Sequence, residues 1–274
     1  LVSPPSWLNA GGDLRTLVLY RNTPAFREGR LILMQADLEA QVTIGKLSAV
    51  ATAGYKETSP AKPNDSALIL RRHYLLYQLT DELAFRAGKF NKAYGINTPD
   101  HATTIKRGLG WDQGSETYNF EGAYSTERWS LFVTGILGRP DDLTLGRETG
   151  LSALVSVSPI DNAKFGMSFF YGKNTSRQRS VLGPHALIAF SKQWVLLSEL
   201  DFQFMGPSST LPAQQGFVNY QKLDYEFVRG FHAFLTQELS AQNFLDHGAD
   251  YQVYGIGLQV FPRPHLEASL TYQR

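Results

Sequence analysis

Three adjacent pairs in the chain have the residue types of proton-transfer chemistry: Asp100-His101, Asp141-Asp142 and Asp246-His247. A carboxylate beside an imidazole can activate water, and two carboxylates can divide acid and base roles, once folding brings them to one reacting atom. Adjacency does not supply that geometry, and all three pairs fall in polar connecting stretches where Asp and His are common. His185 and His232 lie in strand-like stretches, with no serine spaced nearby to pair with either on the same face. The phosphate-loop, dinucleotide-loop and HExxH patterns are absent. Without cysteine, thiol catalysis, disulfide frameworks and Cys-based zinc sites are excluded. No catalytic residue, metal site or cofactor is expected.

A second set of charged residues is more regular. Arg86, Glu121, Lys164, Glu199, Asp201, Lys222, Asp224, Glu226, Glu238 and Glu267 occupy the polar positions of stretches in which apolar and polar residues alternate. Leu223, Tyr225 and Phe227 alternate with Lys222, Asp224 and Glu226; Trp194, Leu196, Leu200, Phe202 and Phe204 share one parity, and Glu199, Asp201 and Gln203 the other. Period-2 alternation is the mark of a strand with one apolar and one wet face. Such charges, of both signs, are expected on a solvated inner wall.

The elements that carry them follow from the same pattern. It predicts strands over 13–21, 29–42, 46–56, 66–79, 82–90, 116–126, 128–138, 148–158, 163–173, 180–191, 193–205, 216–227, 230–240, 250–261 and 265–273. These are longer than the five or six residues usual in globular sheets and suit a tilted strand crossing a bilayer. Connections alternate between short ones (43–45, 80–81, 126–127, 159–162, 192–193, 228–230, 262–264) and longer polar ones (21–28, 57–65, 91–115, 139–147, 174–179, 206–215, 241–249). That alternation marks an outer-membrane barrel and is foreign to a Greek-key sandwich. Aromatics near strand ends (Tyr20, Tyr55, Phe90, Trp129, Tyr171, Trp194, Phe204, Phe217, Phe231, Tyr251, Phe261 and Tyr272) are expected to form belts at headgroup level.

The expected fold is therefore all-β: a single transmembrane, antiparallel, up-and-down β-barrel over residues 1–274, of about 16 strands. Fifteen are visible; single-chain bacterial barrels have even counts, so a last strand is expected to be missing from this sequence, with fourteen as the second choice. At about this width side chains alone cannot fill the interior. The 274 residues contain no apolar run of about eighteen, so no helical span is expected. A net charge of +1 (Lys+Arg 26, Asp+Glu 25) argues against nucleic acid as a partner. Leu1-Val2-Ser3-Pro4-Pro5 has neither the basic start nor the apolar run of a signal peptide, so a signal, if there was one, has been removed.

The longest connection, 91–115, contains Lys92, Lys106, Arg107, His101 and Trp111, with Asp100 and Asp112. It is long enough to fold inward as a constriction, and its bases would favour anions. Phe85-Arg86-Ala87-Gly88-Lys89-Phe90, followed by Tyr94-Gly95, resembles the R-x-G-(K/R)-F…(F/Y)-G stretch of phosphate-selective-porin-like outer-membrane proteins. There too a strand ends in a Gly-basic-Phe step and runs into a long loop. The resemblance implies anion selectivity from loop bases, for which Lys89, Lys92, Lys106 and Arg107 are the available positions.

Three functions are open at this stage: a passive channel for small hydrophilic solutes, leaning toward anions; a structural barrel whose lumen or rim is occupied by an envelope protein; and an enzyme at the barrel rim. The expected surroundings are outer-membrane lipid and lipopolysaccharide of a Gram-negative-type bacterium, with a second copy of the chain or an envelope protein as partner.

Overall fold

The computed structural model describes residues 5–22, 27–55, 68–96, 98, 103–111, 114–141 and 147–274. They belong to two units, Leu1–Phe90 and Asn91–Arg274.

The first unit is an antiparallel meander of β1 (Leu8–Asn22), β2 (Arg27–Ile44), β3 (Leu47–Tyr55), β4 (Leu68–Gln78) and β5 (Leu83–Phe90). In β3, buried Ser48, Val50 and Thr52 alternate with exposed Leu47, Ala49, Ala51 and Ala53. Gly45 closes the two-residue turn between β2 and β3 with φ of 59°, the left-handed region a side chain would resist.

The second unit begins with an irregular segment containing one turn of helix, α1 (Thr104–Arg107). Ten antiparallel strands follow in chain order: β6 (Thr117–Ser125), β7 (Trp129–Ile136), β8 (Thr149–Ile160), β9 (Ala163–Lys173), β10 (Gln178–Ala189), β11 (Trp194–Met205), β12 (Gln214–Val228), β13 (Phe231–Ala241), β14 (Tyr251–Arg263) and β15 (Leu266–Gln273).

Fifteen strands are thus present among the described residues, each at a place where alternation predicts one. The largest boundary difference is at β1, which starts at Leu8 rather than at 13. Gly11 and Gly12 pair with Glu39 and Leu38 there, and glycines show no parity in a sequence. Connections of a few residues join β2 to β3, β6 to β7, β8 to β9, β10 to β11, β12 to β13 and β14 to β15, and the longer ones leave the opposite ends of the strands.

The two faces of the second unit differ in chemistry. Residues paired across an antiparallel ladder share a face, so the registers place Phe120, Val133, Val155, Met167, Leu196, Phe202, Leu223, Leu235, Ile256 and Leu270 on one side. Leu235 is 53% exposed and Ile256 56%. A whole sheet face of this kind would aggregate in water and is at home in lipid. Aromatic rings gather on it at two levels. Near the short turns, Trp194 stacks on Tyr225 (4.4 Å), followed by Phe227 and Phe231; near the longer loops, Phe217 lies between Phe202 and Phe244 (6.4 and 5.8 Å). Three expected belt members depart from this. Phe90 is buried against Tyr74 and Arg86, the Tyr251 hydroxyl lies 3.3 Å from Thr104 Oγ1, and Phe261 stands edge-on to His232 (5.4 Å), each on the polar face. Proximity to a strand end places a ring by height but not by face.

Candidate functional site

The polar face of β8–β13 carries carboxylates and hydroxyls at positions where a two-residue repeat puts them in rows: Ser152, Ser168, Glu199, Asp201 and Glu238, all buried. They are buried by the described residues of the segment 91–111, which fold back onto that face. At its start, Ala93 O accepts from Ser152 Oγ (2.8 Å) and Gly95 N–H donates to Ser168 Oγ (2.8 Å). Ile96 N–H donates to Glu199 Oε2 at 2.5 Å, and the Tyr94 hydroxyl donates to Asp201 Oδ1 at 2.9 Å. Burial and the Asp201 carboxylate push the Tyr94 hydroxyl well above the usual tyrosine range, so it remains a donor.

Gly95 makes this approach feasible. Its φ is 56°, and a Cβ there would lie 1.8 Å from Glu199 Oε1. On the wall, Gly183 leaves the corresponding space beside Asp201 Oδ1 and the Tyr94 hydroxyl.

The far end of the segment is held by α1. Thr103, its N-cap, makes no side-chain cap; Glu238 of β13 accepts instead from Thr104 N–H (2.6 Å) and Thr104 Oγ1 (2.5 Å). The free N–H groups that open a helix favour an anion, and the wall supplies it. Between these anchors Ile105 and Leu109 pack with Ile136, Phe170, Val181, Val218 and Tyr220, and Trp111 makes edge contacts with Tyr94 (4.5 Å) and Phe170 (5.1 Å). The segment therefore has an apolar core of its own on an otherwise polar wall.

Cations surround the Trp111–Phe170 pair. Lys92 Nζ is 4.0 Å from the Trp111 ring centre and 5.0 Å from that of Phe170, and the Arg179 guanidinium is 5.3 Å from both. Arg179 is paired with Glu148 (2.7 Å) and donates to Leu109 O (2.7 Å); Arg147 donates to Gly114 O (2.9 Å). Burial, and then the Arg179 charge, pull the Lys92 ammonium well below the usual lysine value. Nε of Arg147 and Nε1 of Trp111 are buried donors without an acceptor among the described residues.

The remaining charges expected on the wall are placed as follows. Lys106 Nζ donates to Thr98 O within the segment, and Arg107 is exposed at the end of α1. Glu121 is buried and accepts from Thr134 Oγ1 (2.7 Å). Lys164 is exposed near a short turn. Lys222, Asp224, Glu226 and Glu267 form a second cluster on β12–β15: Asp224 meets Lys222 (3.2 Å) and His232 Nδ1 (2.6 Å), Glu226 accepts from Gly230 N–H (2.8 Å), and Gln259 bridges Lys222 and Glu267. In the first unit Arg86 stacks on Phe90 (4.0 Å).

Lys89 differs from the other wall candidates. It pairs with His73 and shares the face of Ala87, Leu75 and Tyr77, opposite to Arg86. An odd separation along a strand changes face, so Arg86 and Lys89 cannot line one wall. Sequence reasoning also missed the buried Arg71–Asp37 pair (2.7 Å) and the Arg72–Glu39 pair (2.8 Å). The polar parity of Asp37 and Glu39 is the signal that could have found them.

The acid–imidazole pairs are engaged locally. Asp246 accepts from Gly248 N–H (3.0 Å), His247 Nδ1 meets Asp250 (2.7 Å), and Asp141 pairs with Arg139 (2.7 Å). Asp100, His101, Asp112 and Asp142 lie outside the described residues.

No family model matches the sequence, and no curated protein matches it. Solved structures do match. The outer-membrane expressed OmpT of Vibrio cholerae aligns over 100% of this chain and 89% of its own, with a TM-score of 0.69 and 11% identity. The outer membrane channel DcaP of Acinetobacter baumannii aligns over 97% and 90%, with a TM-score of 0.64 and 11% identity. OmpF of Salmonella typhi, in complex with daunomycin, aligns over 97% and 89%, with a TM-score of 0.67 and 11% identity. The fold is a porin-like outer-membrane β-barrel. In such a barrel the apolar face meets lipid and the polar face lines the lumen.

Proposed function

We propose that the chain is a non-enzymatic outer-membrane channel for passive diffusion of small hydrophilic solutes, narrowed by residues 91–111 and leaning toward anions. The observation that carries this reading is the inward fold of that segment, tied to the lumen wall by Glu199, Asp201 and Glu238. A segment with eight or more residues laid on the wall restricts the lumen without filling one of about this strand number. Those same contacts explain the anion preference. The wall acids nearest the segment are occupied by its N–H and O–H donors, whereas Arg107 is exposed and Arg147 and Trp111 keep donors without acceptors. Similar structures named as a channel and as porins support the reading.

Planar-bilayer recording tests both halves. Reproducible conductance steps, with a reversal potential in a KCl gradient that reports chloride preference, are the expected result. A silent purified barrel would remove the channel reading, and cation preference would remove the role given to these bases.

A further inference from the structure

The short hairpin turns of the second unit divide by charge. Those joining β6 to β7 and β8 to β9 hold Glu127, Arg128 and Asp161, and Arg128 is paired with Asp161 (3.0 Å). The next three short turns join β10 to β11, β12 to β13 and β14 to β15. They hold Lys192, Arg229 and, as the last residue of β14, Arg263, with no acid in any of them. All three bases are exposed, and none makes an ion pair or a side-chain hydrogen bond among the described residues. The acids of the adjoining strand ends are engaged elsewhere. Glu226 and Glu267 are on the polar face, bonded to Gly230 N–H (2.8 Å) and Gln259 (2.6 Å).

Aromatic rings fix the level of these bases. Lys192 has Phe190 two residues before it and Trp194 two after; Arg229 has Phe227 and Phe231 at the same offsets. All four rings are on the apolar face, and Phe190 is 62% exposed. Trp194, Tyr225, Phe227 and Phe231 make an unbroken run of ring contacts (4.4, 6.5 and 6.3 Å) from β11 to β13. Belts of this kind mark headgroup level. A turn just beyond its rings carries its base to the lipid phosphates, and the stems of Lys and Arg can lie along apolar surface while the charge stays wet. Successive turns are two strands apart, about 10 Å. Short turns face the periplasm in an outer-membrane barrel, so the leaflet concerned is the inner one.

We propose that the short turns of β10–β15 bind the phosphate groups of anionic phospholipid in the inner leaflet. Three cations without protein partners, on consecutive turns at headgroup level, complement an anionic lipid head and repel the ammonium of a zwitterionic one. Arg229 and Arg263 offer forked donors that take a phosphate in two hydrogen bonds, and Lys192 adds a point charge. The turns of β6–β9, where a base already has its acid, give no such preference. The lipid shell of the second unit is therefore uneven in charge. The proposal rests on the membrane fold and not on the channel reading.

Two tryptophans report on the two kinds of turn. Trp194 stands at the basic turns, and Trp129, exposed on the same apolar face, stands at the balanced ones. Two chains are made, each keeping one of these rings and carrying phenylalanine at the other three tryptophan positions. Heat-modifiable gel migration shows whether each is folded. In phosphatidylcholine vesicles with a minor fraction of brominated phosphatidylglycerol, Trp194 should be quenched as if that lipid were enriched about fivefold at low salt. Trp129 should show no enrichment, with brominated phosphatidylcholine as the reference for each ring. K192Q/R229Q/R263Q should abolish the difference, and added salt should reduce it. Wild-type protein in detergent with both lipids should retain phosphatidylglycerol on native mass measurement, a reading that needs no residue replaced. Equal enrichment at Trp194 and Trp129, enrichment that survives the triple substitution, or equal retention of the two lipids by the wild-type protein would overturn the proposal. So would retention on isolated peptidoglycan that the triple substitution removes, without any lipid preference.

Discussion

Tyr94 and Asp201, separated by 107 positions in the chain, are joined by a hydrogen bond of 2.9 Å from the phenol to Oδ1. Asp201 lies buried beside Glu199, and the Tyr94 phenol is the donor that the segment brings to it. Replacing Tyr94 by Phe keeps the ring against Trp111 and removes only the donor. Leaving a buried acceptor without its donor costs about 1–3 kcal/mol. Tyr94→Phe should therefore raise single-channel conductance and add flicker, because the segment leaves the wall for part of the time. Unchanged conductance and noise would show that this bond does not hold the segment.

Gly95→Ala tests the same anchor by steric means. The added methyl would meet Glu199 at 1.8 Å on a backbone already at φ 56°. We expect a larger and more variable conductance than for Tyr94→Phe. Glu199→Ala removes the obstructing carboxylate along with its bond to Ile96, so the double variant should be no worse than Glu199→Ala alone. Full additivity of the two effects would place the clash elsewhere.

The depressed Lys92 ammonium gives the proposed channel a pH signature. Its folded value lies well below 10.5, so the charge is present at low pH and is lost as pH rises through that lowered value, before ordinary lysines titrate. Between the lowered value and 10.5 the unfolded chain binds the extra proton, so this group makes the fold more stable as pH rises across that window. On the proposed reading, the anion preference should weaken as that charge is lost. Reversal potentials measured across alkaline pH check this, and Lys92→Gln should flatten the curve at its high-pH level. A curve unaltered by that substitution would assign the dependence to another group.

Arg71 and Asp37 form a buried pair in the first unit, each with its side chain about 6% exposed. Arg71→Met strands a carboxylate, which costs about 3–5 kcal/mol. The urea midpoint of the detergent-held barrel should fall markedly, and Arg71→Met combined with Asp37→Leu should recover most of the loss. Equal damage from the single and double variants would mean that the pair contributes packing rather than charge compensation.

Alternation made the strands legible because every second side chain of a membrane strand answers to lipid, whatever its neighbours do. The β12 sequence from Lys222 to Phe227 shows it directly, with Lys222, Asp224 and Glu226 on the wet parity and Leu223, Tyr225 and Phe227 on the other. Where no side chain reports parity, as at Gly11-Gly12, the β1 boundary was lost. Lys89 was a candidate for anion selectivity through the resemblance of the Phe85–Phe90 stretch, whereas three steps along a strand from Arg86 reverse the face. The anchors of the inner segment were not legible at all. Thr104 and Glu238 are 134 positions apart, and neither residue carries a local mark of the other. What each of the charges holds depends on register, which sequence alone does not display.

Those long separations also set an order of assembly. Residues 91–111 are made early in the chain, yet their partners Glu199, Asp201 and Glu238 arrive 103, 107 and 134 positions later. Contacts of such range form only after the intervening chain has been placed. The inner segment thus gains its last anchor, Glu238, only when β13 is in the sheet. On the proposed reading, a barrel halted during insertion would stand without its internal restriction, and premature leakiness would be a hazard set by the order of the strands.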